Sequence, residues 1–410
     1  MLPTYLYSDL PKLREHKLYA EIDTEALVHN YKLLCAATRG THHICVVKAD
    51  AYGHAADICV RALLSAGCRF FAVSCIEEAI SVRAICNNEN IDAEVLILGY
   101  TDPTQAHLLC ENNIIQTILS YEYAERLNFE AARKRMCVRV HAAVDTGMNR
   151  IGISACSEDE IFRAAITIKK IFSLEGLSLE GMFTHFARAD EGDATSKAVT
   201  ERQFDRFMEV RRIIGEAGIY LFCHASNSAA AISEGKYALD GVRLGIALYG
   251  IAPSTYVDSV SGLDLKPVMA LKTLICHTHT LIPGESVSYG GLYTADSERT
   301  IATIPIGYAD GFLRSYGGYK VAVSTAEGSF RAPVVGRICM DQSMIDITGI
   351  PAAVGDTVTV FGNCSDGLRE LARLAETIEY ECLCLVSARV PRVAKRTTCE
   401  ITNSLEEKND

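Results

Sequence analysis

The chain has 410 residues, with 40 Lys plus Arg against 51 Asp plus Glu, and so a formal net charge of −11. That acid excess argues against a nucleic-acid binder, which needs a basic face to release phosphate counterions. With 49% hydrophobic and 22% charged residues and no run of about 18 uninterrupted apolar positions, the chain reads as a folded protein without a membrane span. From His43 to Val242 short apolar or β-branched runs alternate with longer amphipathic stretches. Strands are expected at His43–Lys48, Arg69–Ser74, Ala93–Gly99, Ile114–Ser120, Cys137–Val144, Leu179–His185, Tyr220–Ala225 and Tyr237–Val242. Helical periodicity falls between them at Asp57–Ala66, Ile76–Asn87, Glu122–Lys134, Asp159–Leu174 and Lys197–Glu216. Eight strands, most followed by room for a helix, within about 250 residues are the arithmetic of an α/β fold of the (β/α)8 TIM-barrel type. An open doubly wound sheet fits the alternation too, but more often uses fewer strands.

After Pro253 the pattern changes. Runs at Met269–Thr280, Thr300–Ile306, Tyr319–Ser324, Arg331–Val335, Ser343–Ile347 and Thr357–Phe361, with one helix at Gly367–Ala375, describe a smaller, mostly β domain. The expected division is a barrel over 1–260, a β domain over 261–396 and a flexible polar tail over 397–410; a strand near 17–23 can join the second domain. Met1–Glu21 carries Asp9, Lys12, Arg14 and Glu15 where a secretory signal needs an apolar core, so a cytoplasmic protein is expected. Sixteen cysteines are scattered singly, often inside apolar runs such as Ile44-Cys45-Val46, which suits free thiols in a reducing compartment rather than a disulfide framework. The closest pair, Cys382 and Cys384, would share one face of a strand. Neither it nor His277 with His279 completes a four-ligand set, so no metal site is expected.

In a barrel of this kind, polar residues at the C-terminal strand ends face the active site. Strand one runs into Lys48-Ala-Asp-Ala-Tyr52-Gly-His54 and strand five into Asp145-Thr-Gly-Met-Asn-Arg150. Strand six runs into Thr184-His185, strand seven into Ala225-Ser-Asn227-Ser228, and the eighth into Arg243-Leu-Gly245-Ile246. A lysine, a histidine, two arginines and a small-residue anion cradle converge on one rim. The set lacks the paired carboxylates of a glycosidase and the ligands of a hydrolytic metal site. It suits a desolvated amine nucleophile beside a bound phosphate, as in Schiff-base chemistry. Each member has a bland alternative: a strand-end charge for Lys48, a satisfied rim histidine for His185, an ordinary turn for Gly245-Ile246, a core aromatic for Tyr289. The conjunction carries the reading.

Lys48-Ala-Asp-Ala-Tyr-Gly-His, Asp145-Thr-Gly-Met-x-Arg150-Ile-Gly, Thr184-His-Phe-Ala-x-Ala-Asp190, His224-Ala-Ser-Asn-Ser228 and Val242-Arg-Leu-Gly-Ile-Ala-Leu-Tyr-Gly resemble the alanine racemases. So do Val287-Ser-Tyr289-Gly, Ile306-Gly-Tyr308-Ala-Asp-Gly, Val335-Gly-Arg-Ile-Cys-Met340-Asp341 and Glu379-Tyr380-Glu381. The resemblance runs in family order from about Leu18 to Arg392. It implies a pyridoxal 5'-phosphate barrel followed by a β domain, paired as a homodimer with shared active sites. It also implies interconversion of L- and D-alanine, with D-alanine feeding peptidoglycan precursors.

By the same resemblance, Lys48 holds the cofactor as a Schiff base and is one of two catalytic bases, and Tyr289 from a second subunit is the other. Tyr52, Ser228, Gly245, Ile246 and Tyr380 correspond to the phosphate cup, and His185 and Asn227 to neighbours of the pyridine ring. Arg150 corresponds to a contact of the cofactor phenolate and the substrate carboxylate, with Met340 and Tyr308 on the substrate side. Asp190, Arg314 and Arg337 correspond to the entrance. Arg243 corresponds to the residue facing the pyridine nitrogen; an arginine there keeps its proton, weakens the electron sink and favours racemisation over transamination. One departure stands out. Many family members carry a lysine, modified to a carbamate that binds the Arg150 counterpart, where this chain has Ala143, so an anion such as chloride, a nearby acid or water is expected to serve a buried Arg150. The rivals are a serine or broad-specificity racemase, a non-catalytic cofactor carrier, and a fold-related decarboxylase. The second domain argues against the carrier, and Arg243 against the decarboxylase.

Overall fold

The computed structural model describes residues 17–362 and 365–395, which fall into two compact units. The first strand is β1 (Leu18–Ile22); β2 (His42–Val46), β3 (Phe70–Val73), β4 (Glu94–Ile97), β5 (Ile115–Ile118) and β6 (Val138–Asp145) follow. Next come β7 (Ile153–Ser154), β8 (Leu177–Phe183), β9 (Phe222–His224) and β10 (Gly241–Leu244). In one unit (Leu27–Ala51 with Cys59–Leu265), β2-β3-β4-β5-β6-β8-β9-β10 pair in parallel, and β10 returns to β2, which closes an eight-stranded barrel. Strands packed on both faces read as continuous apolar runs, as Phe71-Ala-Val73 and Val95-Leu-Ile97 do, all fully buried.

The intervening helices are Ala56–Ser65, Ile76–Asn88, Tyr121–Arg133, Glu158–Phe172 and Ala194–Glu216, within three residues of the expected bounds. Their starts are chemical: Ser120, Ser157 and Asp193 each accept a hydrogen bond from a first-turn N–H. Near the start of β6, Arg139 donates to Glu94 (2.6 and 2.9 Å) and to Glu180 (2.8 to 3.0 Å), so one guanidinium ties β4, β6 and β8 together.

The eighth strand differs from expectation. Gly235–Tyr237 forms a 3-10 turn and β10 starts only at Gly241. Tyr237 instead packs with Phe186, Ala225 and Val257, its hydroxyl donating to Glu201 (2.8 Å). Helices at Thr24–Ala37, Ala106–Glu111, Ser228–Ser233 and Thr255–Ser261 were not anticipated.

The other unit (described from residue 17 to Ala26, Tyr52–Ile58, and Lys266 onward) is a nine-stranded sheet. Its further strands are β11 (Met269–Leu274), β12 (His277–Leu281), β13 (Ser286–Val287), β14 (Tyr293–Thr294), β15 (Arg299–Ile304), β16 (Lys320–Thr325), β17 (Gly328–Val335), β18 (Ser343–Asp346), β19 (Thr357–Phe361) and β20 (Arg392–Ala394). The order is β12-β15-β18-β17-β16-β19-β11-β1-β20, antiparallel except for the parallel β1–β20 pair, while β13 and β14 form a separate ribbon. β1 sits between β11 and β20, so residues 18–22 belong to this sheet.

The run expected at Met269–Thr280 is two strands, because the chain leaves β19 after Leu274 to pair with β15 from His277. Cys382 and Cys384 do not share a strand face: they lie on an unanticipated helix, Glu379–Leu385, the first buried and the second exposed. Glu379 and Glu381 in its first turn suit the positive end of the helix dipole. Every described cysteine is free. The tail expected at 397–410 lies outside the described residues.

Candidate active site

On the barrel, β2 ends at Val46, and Lys48, half-buried, opens a turn of the opposite hand. Ala49, Asp50, Ala51 and Tyr52 have φ of 52°, 54°, 56° and 53°, a left-handed turn built from residues with side chains. Each such residue costs about 1–2 kcal/mol, so the turn needs external support. Glu78 supplies it: one carboxylate oxygen accepts from Ala49 N–H (2.7 Å), the other from Ser74 N–H (2.8 Å). Sequence patterning does not reveal this turn, since Ala-Asp-Ala-Tyr lacks the Gly or Asn that signals left-handed backbone.

Arg243, in β10, is 3% exposed and makes the densest contacts on the rim. It donates to the carbonyls of Thr184 (2.7 Å), Ala225 (2.8 Å) and His224 (3.0 Å), and to His224 Nδ1 (2.6 Å); His185 Nδ1 lies 3.3 Å away. Because Arg243 can only donate, His224 accepts on Nδ1, carries its proton on Nε2 and donates to His141 Nδ1 at 3.0 Å. Burial and the nearby Arg150 charge push Arg243 down to about 9, which still leaves it a cation at neutral pH. Burial, then the charges of Arg243, Arg150 and Lys48, push His185 down to about 3, so a neutral imidazole faces three cations. His141, held down to about 3 by burial and Arg139, and His224, well below its ordinary value through burial and Arg243, are neutral as well.

Arg150 sits on a loop wrapped around Asp145, whose Oδ1 accepts from the N–H groups of Gly147, Met148 and Asn149 (2.9, 3.0 and 3.1 Å). It is exposed, which corrects the expectation that this arginine is buried; Ala143 itself is 2% exposed in β6. Among the described residues neither Arg150 nor Arg243 has a carboxylate partner.

Ser228 is buried and accepts from Gly245 N–H at 2.7 Å, and Ile246 opens the 3-10 turn that follows. The Asn227 side chain caps the helix Ser228–Ser233 by accepting from Ala230 N–H (3.0 Å). Asp190 is half-buried, its carbonyl accepting from Ser254 (2.5 Å).

In the sheet unit, Tyr52 is buried, which pushes its phenol up, and its ring lies 6.3 Å from that of Tyr380. Tyr289 is 72% exposed, so it is not a core aromatic. Ser288 before it takes φ 63°, held by its hydroxyl on the Arg337 carbonyl (2.7 Å). Tyr308 and Met340 are exposed on neighbouring loops, joined by Tyr308 N–H to Cys339 O (3.1 Å) and Ala309 N–H to Met340 O (3.0 Å). Gly307 permits that approach, since a Cβ there would overlap both carbonyls. Arg314 and Arg337 are exposed. Arg389 bridges Asp310 and Asp341 (2.7 Å each) behind the same loops, a role no motif suggested. Among the described residues no group of three or more His, Cys, Asp or Glu is placed to hold a metal ion.

A family model, the alanine racemase N-terminal domain, matches residues 22–253, and its C-terminal counterpart matches 268–394. The chain belongs to the alanine racemase family. Alanine racemase 1 of Clostridium acetobutylicum is 39% identical over 382 residues, which covers 92% of this chain and 95% of the relative. The alanine racemase of Desulfovibrio desulfuricans is 41% identical, covering 92% and 98%. Among solved structures, the alanine racemase of Clostridium difficile matches with a TM-score of 0.84 at 37% identity, covering 93% of this chain and 96% of that one. The Bacillus anthracis alanine racemase with bound L-Ala-P matches with a TM-score of 0.82 at 31% identity, covering 93% and 96%. Barrel, β domain and racemase family are therefore as the motifs implied.

Proposed function

We propose that the chain interconverts L- and D-alanine with pyridoxal 5'-phosphate, as a homodimer in which each site uses Lys48 of one copy and Tyr289 of the other. The observation that carries the reading is Arg243: a buried cation on the barrel rim, without an acid partner, beside a neutral His185 that also feels Lys48 and Arg150. A buried arginine that finds no carboxylate among the described residues, with the Arg150 charge near it, fits an anionic aromatic cofactor. The hydroxyl of Ser228, held in place by the Gly245 N–H, the N–H group at Ile246, and the phenols of Tyr52 and Tyr380 are donors suited to its phosphate.

When bound, the cofactor supplies a carbonyl for the substrate amine and a ring that draws charge away from the α-carbon. The protein does the rest. Lys48 holds the cofactor through its Nζ, and as an amine exchanges the α-proton on one face. The Tyr289 phenol exchanges it on the other. Arg243 donates toward the ring nitrogen and keeps its own proton, which limits delocalisation of charge into the ring and favours return of the proton to the α-carbon. Arg150 and Met340 orient the substrate carboxylate, Tyr308 narrows the substrate side, and Asp190, Arg314 and Arg337 line the approach.

The dimer has support in the exposure of Tyr289, Leu292, Tyr308 and Met340 (72%, 68%, 41% and 53%), apolar surface that a lone chain leaves in water. Free thiols at the described cysteines suit a reducing cytoplasm. The test is direct: purified protein loaded with the cofactor is given L-alanine, D-alanine or L-serine, and the opposite enantiomer is quantified. Conversion of alanine in both directions, faster than that of serine, is expected. Conversion of serine alone, or of neither, overturns the reading.

A further inference from the structure

We propose that Arg392 is a positioning residue for the cofactor phosphate: its guanidinium fastens the turn that carries Tyr52 to the end of the helix that carries Tyr380, and so sets the spacing of the two phenols. The inference rests on the phosphate role given to those tyrosines above.

Arg392 starts from a fixed point. It opens β20, opposite Ala20 of β1, and the preceding carbonyl of Pro391 accepts from Ala20 N–H at 2.8 Å. From there the side chain spreads over four backbone carbonyls. Nε donates to Gly53 (2.9 Å), Nη1 to Ser387 (2.6 Å) and Val390 (2.7 Å), and Nη2 to Val386 (2.6 Å). Val386 is the C-terminal cap of the helix Glu379–Leu385, and carbonyls at a helix end have no partner within the helix. A cation there satisfies them and complements the negative end of the dipole.

Gly53, on the other arm of the fork, closes the left-handed turn at φ 81°. A Cβ at Gly53 would stand 2.6 Å from the Leu383 carbonyl, so turn and helix meet backbone to backbone. Tyr52 is the residue before Gly53, and Tyr380 lies in the first turn of that helix, their rings 6.3 Å apart at 59°. One planar group therefore spans both segments from a sheet anchor, and it restrains the end of a turn whose backbone would otherwise relax. Lysine cannot substitute, because its donors radiate from one atom and lack the spread of the fork.

The test uses the full chain, freed of cofactor and titrated with pyridoxal 5'-phosphate and, separately, with pyridoxal, which lacks the phosphate. Arg392→Lys and the more disruptive Arg392→Gln are compared with the unsubstituted chain by absorbance of the bound carbonyl. Pyridoxal phosphate affinity is expected to fall at least tenfold in Arg392→Lys, with pyridoxal affinity changed less than twofold. Equal loss for both ligands indicates general loosening of the fold and overturns the proposal, as does an Arg392→Lys protein that binds the phosphate form normally. Tyr52→Phe and Tyr380→Phe are measured alongside. If neither weakens the phosphate form selectively, the phosphate reading fails and takes this inference with it. If they do and Arg392→Lys does not, only the role of Arg392 falls.

Discussion

Tyr289 reaches solvent on a loop that Ser288 bends through φ 63°, pinned by a hydrogen bond to Arg337 O. Its phenyl body packs on little within its own chain, so removing only the hydroxyl should leave the fold intact. Tyr289→Phe should therefore lose exchange of the α-proton of L-alanine far more than that of D-alanine, on the order of 100-fold if the phenol is a general base. Solvent deuterium incorporation into each enantiomer reads this directly, and equal loss for both would remove the tyrosine from the role. Tyr289 was legible in the sequence because it lies in a motif. The residues that support such side chains were not. Glu78, His141, Arg389 and Arg392 act through backbone carbonyls, amides, carboxylates or another ring, and each makes at least one contact to a position distant in the chain.

The left-handed turn Lys48–Gly53 shows the same limit for an element. The residue types at 49–52 favour a right-handed helix or a loop, and the turn exists because partners beyond it fix its ends. Glu78 is the carboxylate that does so on the barrel. Glu78→Gln replaces one acceptor with an NH2 group that points at an N–H, and because both hydrogen bonds are exposed to water the turn should lose about 0.5–1.5 kcal/mol of support. The expected result is weaker cofactor retention on dialysis with only a small fall in thermal stability; unchanged retention would mean that the turn holds without Glu78. Elements long enough to show a period, such as Ile76–Asn88, were legible almost to the residue, and Ala194–Glu216 was legible except for the first three residues behind its Asp193 cap. Tyr237, which trades a strand for a side cluster, and Glu379–Leu385, too short to show a period, were not.

At the scale of the molecule the two-domain plan was legible, since the switch from alternating to continuous β patterning after Pro253 marks it. The assembly can be tested by mixing. Lys48→Ala and Tyr289→Phe proteins, each inactive as a homodimer, should regain about a quarter of full activity after subunit exchange, because half the dimers are hybrids with one intact site. No recovery would mean that each chain supplies both groups to its own site. The three neutral imidazoles His141, His185 and His224 set the response to acid. Their folded values lie below the ordinary 6.5, near 3 for His141 and His185 and well below 6.5 for His224, so as the pH falls under about 6.5 the unfolded chain binds more protons than the native one. Stability should be fully present above 6.5 and fall as the pH drops below it, by up to about 1.4 kcal/mol per pH unit for each histidine. Melting temperatures of cofactor-free protein between pH 7.5 and 5 test the sign, and a rise on acidification would contradict it.

The position of β1 between β11 and β20 has a consequence for how the chain is made. Residues 18–22 are synthesised well before either of their hydrogen-bonding neighbours, 269–273 and 392–394. At about 5–20 residues per second, a strand with one apolar face and two open edges waits on the order of tens of seconds for both partners, far longer than a small domain needs to collapse. The barrel, whose strands pair mostly with near neighbours in the chain, can form within that interval. Completion of the nine-stranded sheet is then the late step of biogenesis, and Leu18–Ile22 is the segment most in need of a chaperone until it comes.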